Sequence, residues 1–443
     1  HNEKTPSFFV SPSRQIWHCF GCQKGGDIFK FLMEIEGVEF LEALQTLAKR
    51  AGIQLRQFDK KSTGDKSNLY EISELAAKFF EKQIWESQTG KKAIEYLRER
   101  GLKDETIKEW RLGYAPNTWD ALKIFLKNAG HREDEIFKAG LIVKRQGQDG
   151  HYDRFRGRIM FPISDLNSQV VGFTGRVFAE SADLPAEASA QAGALAKAER
   201  DGEAKYINTP QTVIYDKSRV LYGLDKSKVD IRKSDRVVMV EGNMDVIMSH
   251  QAGVKNVVAS SGTALTNQHL KILRRYTQNL DLCFDQDSAG EAAAKRGIEL
   301  AFFHGFNIGV VKIEAKDPAD LVKEKPEEWV KNSGISQPIT AFYIEKAFQK
   351  HDPNTALGKK NITQEVLPVI KLIENEVEQA HWLDELSSKL KIGQEVIRRA
   401  MAHLRQDFGG QAATREEKST VNFEPSPRLA IEETLLALLI KTG

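Results

Sequence analysis

Apolar residues along this chain follow two spacings, and the change from one to the other marks out its parts. Between 236 and 320, four short apolar runs at 237–240, 256–259, 280–284 and 308–313 are separated by helically spaced stretches at 244–251, 267–276 and about 289–303. Strands alternating with helices predict βαβ units and a parallel sheet. The runs end in acids. Glu241-Gly242 follows the first, Asp285-Gln286-Asp287 the third and Asp317-Pro318-Ala319-Asp320 the fourth, while Asp245 falls in the helical turn after Glu241.

The remaining pattern divides the chain further. Aromatic and β-branched runs around Phe8-Phe9-Val10 and Ile16-Trp17 meet at Cys19-Phe20-Gly21-Cys22, and helical spacing follows through Phe31, Leu32, Ile35, Phe40, Leu44, Leu47 and Ala48. Residues 1–57 read as a small β domain with packed helices, and the polar stretch 58–68 as a linker. Helices are expected at 69–88, 91–100, 103–110, 119–129 and 133–139, before period-two runs at 159–163 and 170–177 near Arg154, Arg156, Arg158 and Arg176. These arginines suit a basic surface, although Arg154, Arg156 or Arg158 could instead pair with Asp153 or Asp165. Residues 69–234 then form an α+β basic subdomain and 235–325 the parallel sheet. Within the former, 181–203 holds eight alanines and no apolar stripe, which reads as a mobile insertion. A helical bundle is expected over 326–405, a linker over 406–427 and the start of another helical domain over 428–443. The whole is an α/β multidomain chain that begins with histidine and ends in mid-helix, so it reads as a piece of something longer.

Composition adds limits. Its 443 residues, 41% hydrophobic and 28% charged, describe an ordinary globular protein. No run approaches the roughly 18 apolar residues of a membrane span and no signal-peptide pattern opens the chain, so no membrane partner and a cytoplasmic location are expected. Three cysteines, Cys19, Cys22 and Cys283, are too few for a disulfide scaffold. A net charge of +2 conceals basic segments: 205–236 holds eight Lys and Arg against four acids, a balance that could follow a nucleic-acid backbone or form a solvated face.

Two groups of residues carry chemistry. Ligands of a parallel sheet gather at the carboxyl ends of its strands. Glu241, Asp285, Asp287 and Asp317 all lie there, and carboxylates that close call for hard cations such as Mg²⁺ or Mn²⁺. Ordinary loop acids are the alternative. The Cys19–Cys22 pair suits one structural Zn²⁺ with His1 as a third ligand, a redox pair being the alternative.

Glu241-Gly242 after a strand, Asp285-x-Asp287 with Ser288-Ala289-Gly290, and Asp317-Pro318 resemble the Toprim domain of primases and topoisomerases. The residues around Cys19 and Cys22 resemble the zinc domain of bacterial replicative primase, and the order of segments is similar to that family across nearly the whole chain. The resemblance implies a zinc site of His1, Cys19, Cys22 and a cysteine upstream. It implies catalytic roles for Glu241, Asp245, Asp285 and Asp287, with Glu241, Asp285, Asp287 and Asp317 as ligands of the divalent metal. Arg100, Arg176, Lys205, Asn208 and Lys217 match the positions that hold nucleotide and template. The family commonly has Asp-Pro-Asp where this chain has Asp317-Pro318-Ala319-Asp320. The implied activity is RNA primer synthesis from ribonucleoside triphosphates on single-stranded DNA, with a replicative helicase as partner through the segment beginning at 428. A Toprim topoisomerase or nuclease, and a non-catalytic zinc-containing nucleic-acid-binding module, are the rival readings. The first would relax or cleave DNA; the second would tolerate loss of Glu241 or Asp287.

Overall fold

The computed structural model describes residues 6–36, 40–51, 62–145, 149–178, 204–283 and 291–404. His1, the acids 285 and 287, the insertion 181–203 and the segments 406–427 and 428–443 lie outside them. The chain divides into two compact units, His1–Phe342 and Tyr343–Gly443.

The first unit opens with a three-stranded antiparallel sheet of β1 (Phe8–Ser11), β2 (Ile16–Cys19) and β3 (Gly25–Gly26). Period two puts Trp17 on its inner face, where the indole stacks on Phe8, meets Phe31 edge-on and donates to the Asp27 carbonyl at 3.0 Å. The helices Ile28–Glu36 and Phe40–Arg50 follow.

A helix spanning Ser62–Glu86 comes next. The pattern predicts a linker over 58–68, so its last seven residues are a correction. A polar run without apolar anchors looks like a linker, yet once the apolar turns of a helix are packed each added residue gains a hydrogen bond, and such a run continues it at little cost. The helix lies on an antiparallel sheet ordered β4 (Gly113–Ala115), β7 (Arg158–Ser164), β8 (Val170–Val177), β9 (Tyr206–Asn208), while β5 (Ile142–Lys144) pairs with β6 (His151–Asp153) beside it. Phe80 stands edge-on to Phe155 and Phe173. Gly113 permits this approach, since a Cβ there would sit 2.5 Å from that of Phe80.

The second sheet has the order β11 (Val257–Ala259), β10 (Val237–Val240), β12 (Asn279–Leu282), β13 (Asn307–Val310), β14 (Gln337–Pro338). The first four strands are parallel, as the alternation predicts, and β14 adds antiparallel to β13. Both faces are covered, which explains the unbroken apolar runs. Asp281 is the exception: buried in mid-strand, it pairs with Arg236, which also donates to the Gly334 carbonyl at 2.8 Å.

One core joins the two sheets. Trp110, Tyr114 and Phe178 belong to the same buried cluster as Val238, Val246, Ile247 and Trp329. Backbone bonds between Tyr222 and Ala259, 2.8 and 3.1 Å, add a further tie across the subdomains.

The described residues of the second unit are helical, as the pattern predicts. Ala356–Lys371, Glu376–Leu390 and Gln394–Ala402 bury Ile362, Val366, Ile370, Leu383, Leu386 and Ile397, and Thr355 and Asn375 cap the first two.

Candidate active site

The carboxyl end of β10 delivers Glu241, whose side chain is exposed, and Gly242, which caps the helix Asn243–Gln251. Asp245, in the first turn, is buried. Its Oδ2 accepts the Gly242 N–H at 2.9 Å and its Oδ1 the Ala319 N–H at 3.1 Å, so one carboxylate ties the Glu241 turn to the turn after β13. There Asp317 caps the helix Pro318–Glu324, its Oδ1 accepting the Asp320 N–H at 2.8 Å. The Pro-Ala pair after Asp317 opens this helix and leaves Asp320 one turn on, facing Arg100 Nη2 at 3.4 Å.

The basic subdomain meets this edge through a polar chain. Thr174 Oγ1 donates to Asn208 Oδ1 at 2.6 Å, Asn208 Nδ2 to the Ser261 carbonyl at 3.3 Å, and Ser261 Oγ to Asn243 Oδ1 at 2.5 Å. Ser261, at φ 54° in the left-handed region, turns the chain after β11 toward Asn208. The Arg176 guanidinium lies between the Tyr96 and Tyr206 rings, 5.2 and 5.7 Å from their centroids. Burial raises the Tyr206 phenol, with the Arg176 charge opposing it and the Asp245 carboxylate adding to it. Lys205 is exposed, and the Lys217 carbonyl meets His269 Nε2 at 3.0 Å. Of the described members of the expected set, Glu241, Asp245, Asp317, Arg100, Arg176 and Asn208 share one network of bonds, stacks and sheet register, and the side chains of Lys205 and Lys217 stand outside it.

The arginines after β6 behave differently. The Asp153 carboxylate caps the helix Ala121–Asn128 by accepting from Leu122 and Lys123 N–H, and burial pushes its pKa up to about 6. Arg154 donates to the Gly140 carbonyl, Arg156 to that of Asp153, and Arg158 is buried against the carbonyls of Gly175 and Ala204. Arg156 also lies 4.5 Å above the Trp119 ring and 4.9 Å above Tyr152, with Arg145 at 6.0 Å from Trp119. Of this partly exposed cluster only Arg156 was singled out by the sequence, and its aromatic partners, with Asn243, Ser261 and His269, escaped the sequence patterns. A Ser-Ser-Gly-Thr turn after a strand was their faint signal.

In the first small sheet, Cys19 is buried at the end of β2 and Cys22 exposed. Ser7 Oγ lies 3.4 Å from Cys19 Sγ, and hydrogen bonds from Ser7 and from the Cys22 and Gly21 backbone hold this thiol below its ordinary pKa. Donors gathered round a sulfur favour a thiolate, and the knuckle fits a metal of zinc type. Among the described residues no group of three or more His, Cys, Asp or Glu assembles into a metal site. The acids that complete the expected divalent-metal set, Asp285 and Asp287, come after β12 in the sequence, and the Cys283 N–H just past that strand bonds the Met239 carbonyl of β10 at 2.9 Å.

A parallel sheet with acids at its strand ends, joined through one core to a sheet bearing cations, defines a Toprim-type catalytic unit. Known proteins agree. Family models match at 1–63 (CHC2 zinc finger), 79–228 (DNA primase catalytic core, N-terminal domain), 238–322 (Toprim-like) and 340–395 (DnaB-helicase binding domain of primase). DNA primases of Staphylococcus epidermidis and Deinococcus radiodurans are 33% and 37% identical over 90% and 83% of this chain. A crystal structure of a DNA primase domain from Pseudomonas aeruginosa, 30% identical, superposes with a TM-score of 0.62 over 76% of this chain and 100% of that one. The chain belongs to the DnaG-type bacterial DNA primase family. It spans 64% and 60% of the lengths of the two relatives. The helicase-binding match at 340–395 falls on the stretch that the pattern assigns to the helical bundle, not on 428–443. Helical spacing alone does not tell a docking bundle from a structural one.

Proposed function

We propose that this chain is a DNA primase that joins ribonucleotides into short primers on single-stranded DNA. The observation that carries the reading is the meeting of acids and cations at one sheet edge, with Arg100 of the basic subdomain 3.4 Å from Asp320. Phosphoryl transfer needs that combination: carboxylates for a divalent cation and fixed positive charge for the phosphates. Mg²⁺ or Mn²⁺ would be held by Glu241, Asp285, Asp287 and Asp317, and when bound it neutralises charge on the attacking and leaving oxygens. Asp245, through its bonds to the Gly242 and Ala319 N–H groups, holds the Glu241 and Asp317 turns in register beside the catalytic acids. Asn208 plays a similar part, its amide joining Thr174 to Ser261.

Arg100, Arg176, Lys205 and Lys217 hold phosphates of the nucleotide and template. Trp119, Tyr152 and Arg156 offer faces on which template bases stack. Cys19, Cys22 and His1 hold zinc with a ligand from outside this chain, and the bundle containing 340–395 docks the replicative helicase.

The test is primer synthesis on short single-stranded DNA with labelled ribonucleotides and Mg²⁺ or Mn²⁺, using protein that carries its upstream zinc ligand. Oligoribonucleotides abolished by an Asp285→Ala, Asp287→Ala double variant support the reading. Equal product from the variant, or none from the zinc-loaded parent, ends it.

A further inference from the structure

We propose that His269 is a positioning residue: with Thr266 it fixes the backbone of Lys217, and so the place of that cation against the acidic edge. This rests on the reading of Lys217 as a phosphate-binding cation. Lys217 sits in a turn closed on itself, where the Asp216 carbonyl accepts the N–H groups of Arg219 and Val220 at 3.0 and 3.1 Å and Asp216 Oδ1 accepts the Ser218 N–H and hydroxyl. Within such a turn the carbonyls of residues 217 and 218 find no donor, and each needs one from elsewhere.

Both donors come from one place on the parallel-sheet subdomain. His269 Nε2 lies 3.0 Å from the Lys217 carbonyl, and Thr266 Oγ1 donates to the Ser218 carbonyl at 2.6 Å while accepting the His269 N–H at 3.1 Å. His269 is completely buried, and burial pushes its pKa down to about 4, so the imidazole is neutral and the nitrogen facing a carbonyl carries the proton. A leucine would fill the space without burying an imidazole; what histidine adds is the donor.

The helix Asn267–Leu273 follows β11, whose Ala259 is level with Val240 of β10, one residue before Glu241. Thr266 and His269 thus reference the Lys217 backbone to the strand pair that presents Glu241. Without them the turn keeps its internal bonds but loses its tie to the helix that follows β11.

The experiment measures affinity, with a labelled single-stranded DNA oligomer followed by anisotropy and a fluorescent ribonucleoside triphosphate titrated in Mg²⁺, on the 443-residue chain. Lys217→Ala should weaken one of the two ligands about tenfold, as loss of a charge-assisted contact does. His269→Leu should weaken the same ligand about fivefold, while His269→Gln, which keeps an N–H, stays within about twofold. In the double variant Lys217→Ala, His269→Leu, binding should be no weaker than with Lys217→Ala alone, because coupled residues are not additive. Should His269→Leu fail to fold, Thr266→Val removes one hydroxyl and should weaken that ligand about threefold. If Lys217→Ala leaves both ligands unchanged, the role of Lys217 is wrong and the proposal falls with it. If Lys217→Ala weakens binding but His269→Leu and Thr266→Val do not, or the double variant shows the product of the single losses, Lys217 keeps its role and positioning by His269 is overturned.

Discussion

Asp245 shows how little freedom a buried carboxylate has. Both oxygens are engaged by N–H groups seventy-odd residues apart, those of Gly242 and Ala319. Asparagine keeps one acceptor and turns a donor toward the other N–H, so the two acidic turns part. A misplacement of about 1 Å in a catalytic constellation costs on the order of a hundredfold in rate, and Asp245→Asn should lower kcat for primer synthesis by about that much with nucleotide KM little changed. Single-turnover kinetics check it. At this scale the sequence told one half of the story. Glu241 and Asp317 stood out because each follows an apolar run, and Asp320 because it is shifted by one from the Asp-Pro-Asp that the family commonly has. Asn208 stood out by resemblance, but its links to Thr174, Ser261 and Asn243 did not, since the bonded members lie 34, 53 and 18 residues apart. Only the fold brings them together, and no periodicity records that.

Among elements, the parallel strands were legible because double-sided burial leaves apolar runs, whereas β14, two residues of Gln and Pro, carries no pattern at all. The approach of the Ser62–Glu86 helix to β4 depends on Gly113, and Gly113→Ala should destabilise the unit by about 1–3 kcal/mol through overpacking against Phe80, read as a lower urea midpoint at unchanged slope. Two desolvated histidines give the elements a pH dependence. Burial pushes His250 and His269 from 6.5 to about 4, so on acidification the unfolded chain takes up their protons first and stability falls between those values. Asp153, pushed up to about 6, acts oppositely, because the folded state binds its proton first. The two histidines outweigh Asp153, so the contribution of these three groups falls by about 3 kcal/mol between pH 6.5 and 4. Urea midpoints across that range measure it, and a His250→Gln, His269→Gln variant should flatten the slope.

At the scale of the molecule, domain order was legible from changes in pattern, but the sharing of one core by the two sheets was not, because Trp110 and Trp329 read as local helix residues. Asp281 and Arg236 pin β12 to the start of β10, and Asp281→Ala, which strips the half-buried guanidinium of its carboxylate and leaves it the Gly334 carbonyl, should cost about 1–3 kcal/mol in a denaturant titration. Template binding has its own test. Trp119→Ala should weaken a single-stranded DNA oligomer by about 1–3 kcal/mol in an anisotropy titration.

The backbone bonds between Tyr222 and Ala259 have a consequence for solubility. An open sheet ends in two rows of unpaired amides, each a template for a foreign strand. On the β11 side the basic subdomain covers one such row with its own chain at Tyr222, and on the other side the row stops at two residues, the second a proline with no N–H to offer. The sheet that gathers the acids is thereby closed to self-assembly at both margins, and its carboxyl edge is the side left open to ligands.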